Sequence, residues 1–294
     1  MAEIQHSFQR FEKKFLLTPE QYKTILPALR ERMDEEIYGL HTVCSVYYDT
    51  PTYALARASI EAPVYKEKFR LRSYGVPGND DYIYAEIKKK YQGIVYKRRV
   101  EGRPGEIQEF LDEKRDLPHD EQIQGEIHYF MRSYRPVPKV FIAYDRRAFL
   151  GREKDELRIT FDWNIRWREK HLDLTYGDEG DPVLDEERIV MEVKIARAMP
   201  LWLSRLLSEN RIYPSSFSKY GICYKKYIAA ALGAEMCQGT FFMMRSAGKE
   251  AAPKAAPARA AYVPICEANR EPRIGRESFP CPIKRRKKTC WTVL

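Results

Sequence analysis

Residues 68–74 read Lys-Phe-Arg-Leu-Arg-Ser-Tyr. As a β-strand, this stretch puts Lys68, Arg70 and Arg72 on one face and Phe69, Leu71 and Ser73 on the other. The apolar face can join an ordinary core. The basic face is the constraint: three like charges about 7 Å apart repel one another, and something anionic must offset them. A single surface strand with polar residues outward would show the same alternation, so the question is whether the pattern recurs.

It recurs along the chain. One face carries Arg10, Glu12 and Lys14; later segments add Lys68, Arg70 and Arg72, then Glu86 and Lys88, then Tyr144 and Arg146, then Arg158, Thr160 and Asp162, and last Glu192 and Lys194. Opposite nearly every one of these sets lies an apolar or aromatic face. A merely solvated face tolerates Thr, Ser, Gln, Lys or Glu in any order. Here Arg dominates at paired spacing, and its planar fork suits carboxylate and phosphate oxygens.

The charge balance sharpens the reading. The net charge is +9, but residues from Gly233 onward hold 12 Lys and Arg against 5 Asp and Glu, leaving 39 against 37 in the first 232. Helical segments at 20–36 and 105–128 carry much of the acid. Base inside and acid outside reconcile a near-neutral domain with basic strands. A closed antiparallel barrel sorts charge in this way, because inner and outer faces alternate and no edge remains. The expectation is an α+β fold: an eight-stranded antiparallel barrel, with helices around a wet, basic tunnel that suits a polyanion. Glu86 and Glu192 each precede a lysine by two residues, on the same face. Such a carboxylate can share a divalent metal with phosphate oxygens, or it can belong to a cross-strand ion-pair ladder.

Local signals supply the elements. Thr18, Pro19 and Gln21 form an N-cap, N1 and capping-box pattern ahead of a helix whose Pro27 predicts a kink or break. Strands are expected near 41–50, 64–74, 82–92, 93–102, 138–151, 156–168 and 188–196, with a hairpin around 75–81. Helices are expected at 52–60, at 105–133 in two pieces broken near Pro118, and at 199–210 and 217–232. Residues 1–232 read as the tunnel domain. Residues 233–294, with "KEAAPKAAPARAAY" and a terminal "KRRKK", read as a low-complexity basic tail, predominantly disordered.

No apolar run reaches transmembrane length, and the first residues lack the apolar segment of a signal peptide. The six cysteines lack a metal-ligand spacing and read as reduced thiols of a cytoplasmic protein. The five histidines show no ligand spacing either. The aromatic residues of "TFDWNIRWR" either stack on an adenine or pack in the barrel.

The ordered motifs "FEKKF", "YYDT", "KFRLRSY", "AEIKKK", "YDRRAF", "LRITFD", "MEVK" and "SFSKYGICY" resemble the VTC-type (vacuolar transporter chaperone) polyphosphate polymerase domain. That domain belongs to the triphosphate tunnel metalloenzymes, with the CYTH proteins and RNA triphosphatases. The resemblance spans about residues 8–232. It implies transfer of the γ-phosphate of ATP to a growing polyphosphate chain, with Mn²⁺ or Mg²⁺. By that resemblance Lys14, Arg70, Arg72, Lys88, Tyr144, Arg146 and Arg158 match the phosphate-binding set, and Glu192 the metal ligand. Ser218 and Lys219 match the pair that ends the tunnel lining. The strand pattern adds Lys68 and Lys194 to the anion-binding face and Glu86 as a second metal candidate. Ser216 departs from the family, which often has a basic residue there. Two other readings use the same face: a tunnel-type triphosphatase with water as acceptor, and a non-catalytic polyphosphate binder. The expected partners are ATP and polyphosphate, not nucleic acid; any membrane partner would be a separate chain, with this one at most peripheral.

Overall fold

A computed structural model describes residues 11–61, 64–92, 94–118, 121–152, 157–184, 187–196 and 198–230. The elements run β1 (Phe11–Leu17), α1 (Pro19–Arg32), β2 (Met33–Glu35), β3 (His41–Asp49), α2 (Ala54–Ile60), β4 (Tyr65–Tyr74), β5 (Ile83–Tyr91) and β6 (Ile94–Gly102). There follow α3 (Pro104–Leu111), α4 (Glu121–Tyr134), β7 (Val137–Gly151), β8 (Arg158–Arg168), β9 (Asp181–Pro182), β10 (Ile189–Ile195), α5 (Leu201–Glu209) and α6 (Lys219–Cys223). The last helix continues into a π-helical turn at Tyr224–Ile228. Arg10 and the tail 233–294 lie outside the described residues, and so does the expected domain boundary.

The strands form one antiparallel sheet in the order β1-β10-β8-β7-β3-β4-β5-β6, with β2 added on β7 and β9 on β8. Irregular registers at Tyr47/Tyr48 and Ala143/Asp145 bend it, since a bulge increases local twist. The sheet curls far enough that Lys88 of β5 lies 3.7 Å from Glu12 of β1, its distant end. The expected α+β antiparallel architecture is present, but the barrel is not closed by hydrogen bonds: among the described residues β1 and β6 do not pair. Across the gap Lys88 faces both Glu12, in an ion pair, and the like-charged Lys14.

The convex side is the core. Phe69, Ile83, Ala85, Ile87 and Val100 pack against Ile107 and Phe110 of α3 and Ile127 and Phe130 of α4. Phe15, Phe161, Met191 and Val193 pack against Ile25 and Leu29 of α1 and Leu203 and Leu207 of α5. Helix α1 starts at the expected capping box: Thr18 Oγ1 accepts from Gln21 N at 3.2 Å and Gln21 Oε1 accepts from Thr18 N at 3.0 Å. It runs through Pro27 without the expected break. Pro27 is exposed, so water can satisfy the carbonyl that loses its amide partner.

The concave side differs from an open bore. Val43, Val140, Ile142, Tyr144 and Val190 meet Phe217, Tyr220, Cys223 and Ile228 in an apolar cluster, so the last helix fills part of the hollow. Asp49, fully buried, anchors this arrangement. It accepts hydrogen bonds from the Leu55 and Ala56 amides at 2.9 Å and from Tyr220 Oη at 2.7 Å. The "TFDWNIRWR" aromatics are packing residues: Trp163 stands edge-on to Tyr22 at 5.1 Å, and Trp167 stacks on Tyr227 at 4.7 Å. Cys44 and Cys223 are free and buried; the other four cysteines fall outside the described residues. No helix among the described residues is long and apolar enough to cross a membrane.

Candidate functional site

The part of the hollow that α6 leaves open is lined by the charged faces of six strands. Strand alternation places Lys14, Lys68, Arg70, Arg72, Glu86, Lys88, Tyr144, Arg146, Arg158, Glu192 and Lys194 on this one surface. Ser218 and Lys219 reach it from the start of α6: Ser218 Oγ lies 3.2 Å from Lys68 Nζ, and Lys219 Nζ lies 2.5 Å from Asp162 Oδ2. All thirteen residues singled out in the sequence therefore converge on one concave face. Ser216 is exposed.

Two neighbourhoods divide the surface. In the first, arginines are matched by carboxylates. Glu86, 2% exposed, receives Arg70 Nε at 2.8 Å, Lys97 Nζ at 2.6 Å and Arg72 Nε at 3.8 Å. Burial alone would raise its pKa, yet Arg70, Arg72 and Lys97 hold it far below the usual carboxylate range. Asp162, fully buried, takes Arg146 in a bidentate pair at 2.6 and 2.9 Å. Burial opposes its ionisation as well, but Lys219 and Arg146 keep its pKa low. Arg158, at the rim, pairs with Glu36 at 2.5 and 3.1 Å. Tyrosines orient the forks: Arg70 Nη1 donates to Tyr47 Oη at 3.0 Å and Arg72 Nη2 to Tyr144 Oη at 3.1 Å. The Tyr144 ring also lies under the Lys219 ammonium, 4.2 Å away. Burial would raise the Tyr47 phenol, but Arg70 and Arg72 bring it down to about 8.

In the second neighbourhood lysines face lysines. Lys66 lies opposite Lys90, Lys68 opposite Lys88, and Lys88 opposite Lys97. Glu12 is the carboxylate among them, 3.3 Å from Lys14 and 3.7 Å from Lys88. Burial, together with Lys14, Lys88 and Lys66, pushes the Lys68 ammonium down to about 8. Burial also brings Lys97 to about 8, against the pull of Glu86. Among the described residues Lys97 is paired with Glu86, and Lys14 and Lys88 share Glu12, so the row carries more cations than carboxylates.

The two metal candidates stand differently. Glu86 is wrapped by three cations, a counter-ion geometry that disfavours a further cation. Glu192 is the register partner of Lys14 and Thr160, and its side chain lies 3.4 Å from Lys194. Burial opposes its charge, but Lys194, Lys14 and Arg146 hold its pKa well below the ordinary value. Glu12 is within hydrogen-bonding reach of it, and the hydroxyl of Thr160 is buried without a hydrogen-bond partner. No cluster of three His, Cys, Asp or Glu exists among the described residues. Two carboxylates and an orphaned hydroxyl do suit a hard divalent ion that takes its remaining oxygens from phosphate and water.

Sequence reasoning passed over Lys97, Tyr47 and Glu36 and left Asp162 and Glu12 as mere face residues. Asp162 and Glu12 had a signal, since both alternate with chosen cations. Lys97 sits in "YKRR", where charge on both faces hides the period.

The chain resembles a putative adenylate cyclase from Vibrio parahaemolyticus at 11% identity, over 74% of this chain and 98% of that one, with a TM-score of 0.40. It resembles a putative adenylate cyclase from Bacillus halodurans at 12%, over 71% and 95%, with a TM-score of 0.44. It resembles a putative adenylyl cyclase from Hippeastrum, described as having a dominant triphosphatase activity, at 14%, over 72% and 93%, with a TM-score of 0.39. Likenesses this faint carry no argument about activity. The comparison with curated proteins finds no match. The family model described as VTC domain matches residues 9–228, from the first strand of the hollow to the helix that fills it, and the chain belongs to the VTC domain family.

Proposed function

We propose that this protein is a metal-dependent phosphotransferase that moves the γ-phosphate of ATP onto the end of an inorganic polyphosphate chain. The observation that carries the reading is the split of one concave surface into an arginine–carboxylate part and a lysine row. Arginine forks held in fixed orientation suit a triphosphate whose geometry must be controlled. Lysines are point charges on flexible stems, and they suit a polymer that must slide by one unit per cycle.

In this reading Arg70, Arg72 and Arg146 grip the triphosphate, with Arg158 at the rim. Lys68, Lys88 and Lys97 hold the terminal phosphates of the acceptor, flanked by Lys14, Ser218, Lys219 and Lys194. An oxygen of the acceptor's terminal phosphate attacks the γ-phosphorus. The bond from that phosphorus to the β–γ bridging oxygen breaks, and ADP leaves with its electron pair. The nucleophile is already anionic, so no side chain needs to remove a proton. The chain's work is alignment and stabilisation of the charge that spreads over the transferring group. A divalent ion, Mn²⁺ or Mg²⁺, would be held by Glu192 with Glu12 and Thr160; when bound, it neutralises phosphate oxygens.

The test is incubation of the purified protein with ATP and Mn²⁺, resolved on a gel. The expected product is a ladder of long chains, strongly reduced in Arg70→Ala by the roughly 2–4 kcal/mol that one preorganised donor contributes. Free phosphate with no polymer would make the protein a triphosphatase. Polyphosphate binding without turnover would make it a binder.

A further inference from the structure

At the rim beside the arginines, the lining changes from charged to aromatic. Tyr74 follows Arg72 by two residues on the same face of β4. Tyr84 of β5 is the register partner of Arg72, and His41 of β3 that of Arg146. Their rings form an edge-to-face chain with Tyr38: Tyr38 to His41 at 6.2 Å, His41 to Tyr74 at 6.0 Å and Tyr74 to Tyr84 at 5.7 Å. The Arg99 guanidinium caps it, 4.7 Å over the Tyr84 ring. Although they touch one another, Tyr38 is 71% exposed and Tyr74 52%. Exposed aromatic surface gathered in one place marks a site of contact rather than a packing residue.

We propose that this collar binds the purine base of the nucleotide. The inference rests on the phosphate reading above and adds the end at which the nucleoside lies. Along β4 the order is aromatic ring, arginine, arginine, lysine: Tyr74, Arg72, Arg70, Lys68. A nucleoside triphosphate has the same order, a flat ring joined through a sugar to a row of phosphates. Its terminal phosphate then points towards the lysine row. A docked protein would need no such continuity with the arginines. Stacking on tyrosine and histidine tolerates any purine, because every base offers a π-face, so the collar selects a nucleotide without reading its edge. It also takes the role that the tryptophans of "TFDWNIRWR" cannot fill, since Trp163 and Trp167 are engaged by Tyr22 and Tyr227.

The experiment compares the affinities of ATP and of inorganic tripolyphosphate by calorimetry. It uses the full chain and its Tyr74→Ala, Tyr38→Ala and Tyr74→Phe variants. The alanine variants weaken ATP about tenfold, the lower part of the range for losing one stacked base, and leave tripolyphosphate within twofold. Tyr74→Phe, which keeps the ring, binds ATP like the parent, and GTP follows ATP throughout. Unchanged ATP affinity in both alanine variants overturns the proposal. Equal losses for both ligands do so too, because the rings would then act through the arginines. In either case tripolyphosphate binding by the parent protein leaves the phosphate reading standing. A parent protein that binds neither ligand removes both.

Discussion

Replacing Glu86 by glutamine keeps the volume and removes one charge from the middle of three cations. Glu86 is 2% exposed and within 2.8 Å of Arg70 and 2.6 Å of Lys97. Breaking a buried ion pair from one side costs about 3–5 kcal/mol. The lower end applies here, because Lys97 remains 43% exposed and water screens it. For a domain of this size each kcal/mol moves the midpoint by about 2–4 °C, so the variant melts about 6–12 °C below the parent in low salt. The second half of the prediction has the opposite sign. A phosphate entering the site no longer competes with a resident carboxylate. A unit charge about 6 Å away, at an effective dielectric constant of about 20, amounts to about 3 kcal/mol. Even after screening, tripolyphosphate binds Glu86→Gln at least tenfold more tightly than it binds the parent. Scanning fluorimetry with and without tripolyphosphate reads both effects. Unchanged stability together with lost divalent-dependent activity would refute the argument and make Glu86 a metal ligand.

Polyanion binding at pH 8 takes up protons. Lys68 and Lys97, each titrating at about 8 in the free protein, become fully charged beside phosphate, and the Tyr47 phenol, also brought down to about 8, is driven back to its protonated form. Calorimetric enthalpies at pH 8 should show net proton uptake in their dependence on buffer ionisation enthalpy, an uptake absent at pH 6.5, where these side chains are already protonated; no uptake at pH 8 would sink the assignment. Asp162→Asn strands Arg146 and Lys219 and lowers stability by about 3–5 kcal/mol, read as a drop in urea midpoint. Tyr220→Phe removes one hydrogen bond to the buried Asp49 carboxylate, at about 1.5–3 kcal/mol, and is read in the same way.

The charged faces were legible because a strand's period of two leaves its mark in sequence, and each chosen cation lies on the concave surface. What escaped depended on distant partners. Residues 33–35 look like the end of a helix, yet they pair as β2 with the fifteen-residue β7, whose length leaves room for a second neighbour. The apolar pattern of 217–228 announces a buried helix but not that it enters the hollow, because Val43, Ile142 and Val190 share strands with inward-facing polar residues. Lack of closure was equally hidden: local pattern shows two strands that could pair, while whether they meet depends on how far the whole sheet curls. Pro27 leaves α1 unbroken because its penalty depends on whether water reaches one carbonyl.

The internal pairing of Arg70, Arg72 and Arg146 with Glu86 and Asp162 has a further consequence. Each guanidinium already has a resident oxyanion, so an incoming solute must outcompete it. Chloride, acetate or orthophosphate offers too little charge per molecule to displace several carboxylates at once. A linear anion with many negative groups meets them together, and its contacts add while its entropy of association is lost only once. In the proposed reading the arginine part of the trough thus acts as a valency filter, excluding the abundant small anions by a threshold rather than by size.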